Sequence, residues 1–253
     1  MTGLAIGSLT RGERVAHDAG TQDYPHREHP VYLLWNSETA VLQCIMIGEI
    51  AERRVGVSSL MALRTAATSG VGFRHLARKN AKVAGVYGSG GQAMHKILAL
   101  QNERRIETYK IFSRNADNRQ RFCDRMAGLV DAEFVPVHTP REVMRDADVV
   151  ICATNSNVPV FEGTWIEAGQ HIVTVVGSNK ALVQGGWLKE GRRENDDETA
   201  RRADFITNWR ESVEQERQAG LFGPLERGVI TWDKIHELGE ILNGTFAGRS
   251  SQE

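Results

Sequence analysis

The sequence predicts an α/β fold built on a doubly wound parallel sheet, and three observations carry the prediction. From Lys82 onward short apolar runs alternate with amphipathic segments, a glycine-rich turn joins the first run to the first amphipathic segment, and the composition is that of an ordinary globular chain. Strands separated by helices imply right-handed βαβ crossovers, which cover both faces of the sheet. The 253 residues suffice for about one or two domains.

Taken in order, the first thirty residues are polar and turn-rich. The apolar runs VYLLWN and AVLQCIMI follow, separated by the polar NSET, and predict a β-hairpin. Ser58 and Ser59 can cap a helix in which Leu60, Leu63, Ala67 and Val71 recur at helical spacing, with Arg64 and Thr65 near its start. The alternating part reads KVAGVY, TYKIF, FVPV, DVVICAT and HIVTVVG as strands, with QAMHKILALQ, NRQRFCDRMAG and REVMRDA as helices between the first four. Beyond them GRRENDDETARRADFITNW predicts a charged helix and a short strand. Asp197 and Glu198 each stand four residues before Arg201 and Arg202, the spacing of ion pairs on a solvated helix face. TWDKIHELGEILNG predicts one more amphipathic helix, and no internal repeat or low-complexity linker interrupts the chain.

Charge and cysteine usage narrow the function classes. With 31 basic and 32 acidic side chains the formal net charge is −1, which gives no field for capturing nucleic acid or anionic lipid, so a small-molecule ligand is expected. No apolar run approaches the ~18 residues of a membrane span, and MTGLAIGSLTRGER does not read as a signal peptide. Cys44, Cys123 and Cys152 are odd in number and far apart, which fits reduced thiols and a cytoplasmic location. His26 and His29 form HxxH without further ligands nearby, so no metal site is expected. His95, on the helix after the glycine turn, and Cys152, inside a strand, read as packing residues.

The glycine turn is the strongest chemical signal. Gly88, Gly90 and Ala93 spell GxGxxA after the strand KVAGVY and before the helix MHKILAL, the context of the dinucleotide fingerprint of Rossmann folds. Gly88 permits the sharp turn, Gly90 carries no Cβ to block a pyrophosphate, and Ala93 lets helix and strand pack closely. The helix start offers free N–H groups and a positive dipole end to phosphates, so Gly88, Ser89, Gly90, Gly91, Gln92 and Ala93 are the candidate cofactor cradle. The alternative is a plain βα turn, and the next strand weighs against it. TYKIF ends at Phe112, 22 residues beyond Gly90, and is followed by Ser113 and Arg114. An acid there would bind the ribose hydroxyls of NAD, whereas serine and arginine suit a 2′-phosphate, so NADP(H) is favoured over NAD(H). Ala153, Thr154 and Asn155 end one later strand and Val176, Gly177 and Asn179 lie at the end of the next, on the side where a nicotinamide would lie.

Several motifs together resemble the ornithine cyclodeaminase and mu-crystallin family of NAD(P)-dependent enzymes. They are Arg64-Thr65-Ala66-Ala67, GSGGQA from Gly88, SRN from Ser113, DADVVICATNSNVPVF from Asp146, GTWIEAGQHIVTVVGSN from Gly163, RREND from Arg192 and GEILNGTFAGR from Gly239. The resemblance implies a Rossmann domain, set at residues 75–219, and a second, smaller α+β domain for substrate and dimerisation, built from residues 1–74 and a return segment at 220–253. It further implies a homodimer, a small imino or amino acid substrate, and a carboxylate-gripping role for Arg64, with Thr65 beside it. A planar guanidinium holds a carboxylate through two parallel hydrogen bonds, which agrees with that role.

Two departures shape the expected activity. Where cyclodeaminases resembling this chain carry an aspartate, this chain has Asn179, the candidate catalytic residue, whose carboxamide can neither take nor give a proton. The family's lysine before an N-terminal Gly-Ser pair has no counterpart in TGLAIGS, and family segments are expected to be missing at both ends. The leading expectation is therefore an NAD(P)(H)-dependent enzyme that reduces an α-imino acid to the amino acid, or runs the reverse, since this needs one positioned electrophile and one proton source. The alternatives are an ornithine cyclodeaminase, which forms proline and ammonia, and an NADP(H)-binding protein of impaired activity.

Overall fold

The structure, a computed structural model, describes residues 2–7, 31–47, 51–52, 56–57, 59–154, 156, 158–175, 195–215 and 220–249. The chain divides into two compact units, Met1–Arg64 and Thr65–Glu253. The division falls inside a helix, whereas the sequence reading sets its functional boundary after residue 74.

The first unit holds a three-stranded antiparallel sheet of β1 (Thr2–Gly7), β2 (Val31–Asn36) and β3 (Leu42–Ile47), in that order. β2 and β3 form the expected hairpin, with Asn36 Oδ1 accepting from the N–H groups of Glu38 and Thr39 at 2.8 and 3.0 Å to close the turn. β1 pairs along the whole of β2, a strand that the short run TGLAIG did not announce. Helix α1 (Leu60–Leu76) begins here as expected: the Ser59 carbonyl accepts from Leu63 N–H at 2.9 Å and the Ser59 hydroxyl from Ala62 N–H at 3.5 Å.

The second unit is organised by a five-stranded, wholly parallel sheet. Its strands are β4 (Val83–Tyr87), β5 (Thr108–Phe112), β6 (Glu133–Pro136), β7 (Val149–Cys152) and β8 (His171–Thr174), in spatial order β6-β5-β4-β7-β8. This is the 3-2-1-4-5 order of a doubly wound nucleotide-binding sheet, with the direction of winding reversing between β4 and β7. Period-two alternation divides the side chains between two cores. Ala84, Val86, Tyr109, Ile111, Val149 and Ile151 face one core with α2 (Gly91–Glu103) and α3 (Ala116–Ala127). Tyr87, Val150 and Cys152 face the other with α4 (Pro140–Met144). β4 and β7, buried along nearly their whole length, are apolar throughout, which is why they were readable as continuous runs.

Local chemistry starts each helix where it does. Asn115 Oδ1 accepts from Asn118 N–H at 2.8 Å at the head of α3, and TPRE forms a capping box with Thr139 and Glu142 at the head of α4. Gly85 lets α4 lie directly on β4: a Cβ there would stand 2.2 Å from the Val143 carbonyl oxygen. Asp196 begins α5 (Asp197–Arg202) by accepting from Thr199 N–H at 2.8 Å, and it also accepts from Gly163 N–H at 3.0 Å. Burial would raise its carboxyl, but the hydrogen bonds from Gly163 and Thr199 outweigh that and hold it below the usual aspartate value.

Past α5 the sequence reading needs two corrections. TWDKIHELGEILNG is not one helix: it forms a 3-10 turn at Trp232–Lys234, strand β10 (Ile235–Glu237) and only then a short helix, α8 (Leu238–Leu242). β10 pairs in parallel with β9 (Phe205–Thr207), so sheet pairing and burial of Ile235 override a weak helical period. Together with α6 (Arg210–Gln215) and α7 (Phe222–Glu226) these strands enclose a third core around Ala200, Val213, Leu221, Ile230 and Ile235. On α5, Glu198 takes both Arg201 and Arg202, at 3.2 and 2.7 Å, while Asp197 pairs with Arg227 at 2.5 Å. A tertiary partner has displaced the expected i,i+4 pair for Asp197.

Two arginines that the sequence left unremarked close the far end of α1. Arg104 donates to the carbonyls of Arg74, Ala77 and Arg78 at 2.8 to 2.9 Å, and Arg249 donates to those of Leu76 at 2.5 Å and Gly169 at 2.8 Å. Cations there satisfy the orphan carbonyls and oppose the negative end of the helix dipole. His171, at the start of β8, packs edge-on against Phe73, and its Nε2 is sealed from solvent without a partner.

Desolvation, then the charges of Arg249 and Arg104, push His171 down to about 4 from its ordinary 6.5. Between those values the unfolded chain binds a proton that the folded chain refuses, so this contribution to stability is complete above about pH 6.5 and lost as pH falls toward 4. Urea unfolding should show a loss of about 2 kcal/mol between pH 7 and pH 5 from this one group. His171→Gln should flatten that slope; an unchanged slope would assign it elsewhere. Among the described residues no helix is long and apolar enough to cross a membrane.

Candidate functional site

The site is built at the C-terminal edge of the parallel sheet, where β4 ends against β5 and β7. Gly88 N–H donates to the Phe112 carbonyl at 2.9 Å, and Ala153 N–H donates to the Tyr87 carbonyl at 2.9 Å. These two bonds set the start of the Gly88–Ala93 turn between the end of β5, which leads into Ser113–Arg114, and the end of β7, which leads into Ala153–Thr154. Gly88 takes φ +108°, and a Cβ would stand 2.3 Å from the Ala153 carbonyl oxygen. Thr154 Oγ1 accepts from Ser156 N–H at 3.2 Å, shaping the turn after β7.

Gly90 is the N-cap of α2 and makes no side-chain cap, so the first-turn N–H groups of that helix remain available to an anion. A Cβ built on Gly90 meets no atom within 4 Å, so the space beside the head of α2 is open there. Gln92 Oε1 is buried there without a partner. Ala93 is fully buried beneath the turn, in the packing role that the fingerprint gives it. An uncapped helix start and a side-chain-free approach together fit the pyrophosphate of a dinucleotide.

At the tip of β5, Ser113 is half-buried and Arg114 exposed. Beneath them Arg119, which sequence reading missed, donates from Nη1 to the Ser113 carbonyl at 2.8 Å. Its only sequence signal was a cation on the apolar stripe that carries Phe122, Cys123 and Met126, all buried. Lys96 was missed as well: it is buried on α2 and donates to Ser69 Oγ on α1, and that hydroxyl in turn reaches the Thr65 carbonyl at 3.4 Å.

The remaining expected residues are distributed differently. Thr65 is half-buried, and Arg64 is exposed on α1 and belongs to the first compact unit. Asn179, Val176 and Gly177 lie outside the described residues, as do Asn155, Ser58, His26 and His29. His95 is buried with Nδ1 2.7 Å from the Gly91 carbonyl; a carbonyl only accepts, so Nδ1 carries the proton and the ring buttresses the turn.

The model of the ornithine cyclodeaminase/mu-crystallin family matches residues 41–253. The chain belongs to this family. An iminosuccinate reductase of Paracoccus denitrificans is 30% identical over 200 residues, covering 79% of this chain and 58% of its own. A cyclodeaminase of Sinorhizobium fredii is 28% identical over 222 residues, covering 87% of this chain and 61% of its own. Among solved structures, Δ1-pyrroline-2-carboxylate reductase of Thermococcus litoralis, in complex with NADH and L-proline, superposes with a TM-score of 0.74 at 30% identity, covering 89% of this chain and 64% of that one. This member of the ornithine cyclodeaminase/mu-crystallin family spans about three fifths of the length of the first curated relatives it matches. Among its described residues no cluster of three or more histidines, cysteines or carboxylates could hold a metal ion.

Proposed function

We propose that this ornithine cyclodeaminase/mu-crystallin family member is an NAD(P)(H)-dependent oxidoreductase that reduces an α-imino acid to the amino acid, or runs the reverse. The observation that carries the reading is the open, uncapped glycine turn at Gly90, set between the ends of β4, β5 and β7. The relatives named iminosuccinate reductase and Δ1-pyrroline-2-carboxylate reductase supply the substrate class, small imino acids bearing a carboxylate beside the C=N bond.

The turn Gly88–Ala93 would hold the pyrophosphate, Ser113 and Arg114 the adenosine ribose and its 2′-phosphate, and Ala153, Thr154, Val176 and Gly177 the nicotinamide end. When bound, the nicotinamide supplies the hydride that adds to the imine carbon while a proton adds to nitrogen. Arg64 grips the substrate carboxylate, Thr65 assists, and Asn179 donates a hydrogen bond that orients the imine. Ser113 and Arg114 in place of an acid favour NADP(H) over NAD(H). A homodimer belongs to the same reading: β3, at an edge of the described three-stranded sheet, leaves Ile45 and Ile47 56% and 76% exposed, and an archaeal alanine dehydrogenase of related fold, 25% identical with a TM-score of 0.71, is a dimer with bound NAD.

The test is consumption of NADPH or NADH with Δ1-pyrroline-2-carboxylate and with iminosuccinate. Arg64→Gln should lower kcat/KM by about 100-fold, because a bidentate clamp that both binds and orients is lost. Turnover of neither imino acid, with ornithine converted to proline and ammonia on catalytic NAD, would replace this reading with a cyclodeaminase. Dinucleotide binding without turnover of any of these would leave a binding protein.

A further inference from the structure

Arg119 stands where helix physics disfavours a cation. It lies in the first turns of α3, near the positive end of the helix dipole, and on the stripe whose next members are Phe122, Cys123 and Met126. Only 7% of it is exposed. Its Nη1 donates to the Ser113 carbonyl at 2.8 Å, its guanidinium carbon sits 5.8 Å from the Phe112 ring centroid, and its Nε is sealed from solvent with no partner. No carboxylate among the described residues forms an ion pair with it. A buried guanidinium held by one carbonyl and one ring face keeps a large part of its desolvation cost uncompensated.

We infer that Arg119 is the buried half of a two-guanidinium site at the β5–α3 turn, with Arg114 as its exposed half, and that this site selects NADP(H) by taking the 2′-phosphate. The inference rests on the reading of Gly88–Ala93 as a dinucleotide cradle, since that cradle directs the adenosine ribose toward the tip of β5. Three features of the turn then act in one direction: the Arg119 charge, the Arg114 charge and the positive dipole end at the head of α3 all favour a dianion beside Ser113. Asp117, exposed in the first turn of α3, is the acid of that turn and opposes them with a single charge. A phosphate also answers the uncompensated burial of Arg119, which a ribose hydroxyl does not.

Fluorescence titration with NADPH and NADH, on the full chain and on Arg119→Met and Arg119→Lys, tests this. Methionine keeps the apolar stem and removes the charge, whereas lysine keeps the charge. The expected result is a loss of about tenfold in NADPH affinity for Arg119→Met with NADH affinity within about twofold, and substantial recovery in Arg119→Lys. Where Arg119→Met does not fold, Arg119→Gln serves in its place. Equal weakening of both dinucleotides would show Arg119 to be a brace for the Ser113 turn and would overturn the inference, as would an unchanged ratio of the two affinities. Absence of binding by either dinucleotide to the unaltered chain would instead overturn the cradle reading, and the inference with it.

Discussion

Gly88→Ala is expected to destabilise the second unit by about 4 kcal/mol, read as a fall in the urea midpoint with an unchanged slope. Two independent effects add. The residue sits at φ +108°, a region that a residue with a Cβ enters only under strain. Its added carbon would also lie 2.3 Å from the Ala153 carbonyl oxygen and 2.9 Å from that carbonyl carbon. Neither neighbour can yield cheaply, because Ala153 N–H is bonded to the Tyr87 carbonyl and Gly88 N–H to the Phe112 carbonyl. The clash therefore propagates into β4, the central strand, which pairs with both β5 and β7. Set against a total stability of about 5–15 kcal/mol, that is a large share. A midpoint within error of the unaltered chain would mean that the turn relaxes and that its geometry is not fixed by the sheet.

The parts of the fold that were legible are those in which one local rule and the tertiary environment agree. Strands β4 and β7 are buried along nearly their whole length, so their residues had to be apolar in sequence, and Gly88 had to lack a side chain for the reason just given. The hairpin of β2 and β3 was legible because NSET supplies Asn36 as a turn acceptor between two apolar runs. What escaped depends on partners distant in sequence. Arg249 reaches the end of α1 across 173 residues, and Asp197 meets Arg227 rather than its helical neighbour. β10 took a stretch with helical spacing because β9 offered it a pairing edge. In the candidate site the backbone features were visible, since glycine placement reports them directly. The supporting side chains Arg119 and Lys96 were hidden, because a buried cation reads in sequence as an exposed one until its surroundings are known.

Gly90→Val should leave stability nearly unchanged and lower NADPH and NADH affinity by about 100-fold or more, equivalent to about 3 kcal/mol of binding free energy. Gly90 takes φ −100° and ψ −175°, extended backbone that a β-branched residue adopts readily. A Cβ there touches no atom within 4 Å, so the folded chain has room for it. The only folding cost is a poorer N-cap for α2, about 1 kcal/mol or less. The room that accepts the valine is the room that the cradle reading gives to the pyrophosphate, and two methyl groups would hold phosphate oxygens off the first-turn N–H groups of α2. Unfolding curves and dinucleotide titrations on the same preparations separate the two glycines: Gly88→Ala should move the first, and Gly90→Val the second. Because both dinucleotides share the pyrophosphate, Gly90→Val should weaken them in equal proportion, whereas Arg119→Met should change their ratio. Undiminished binding by Gly90→Val would remove the pyrophosphate from the β4–α2 turn, whatever the chain's relatives bind.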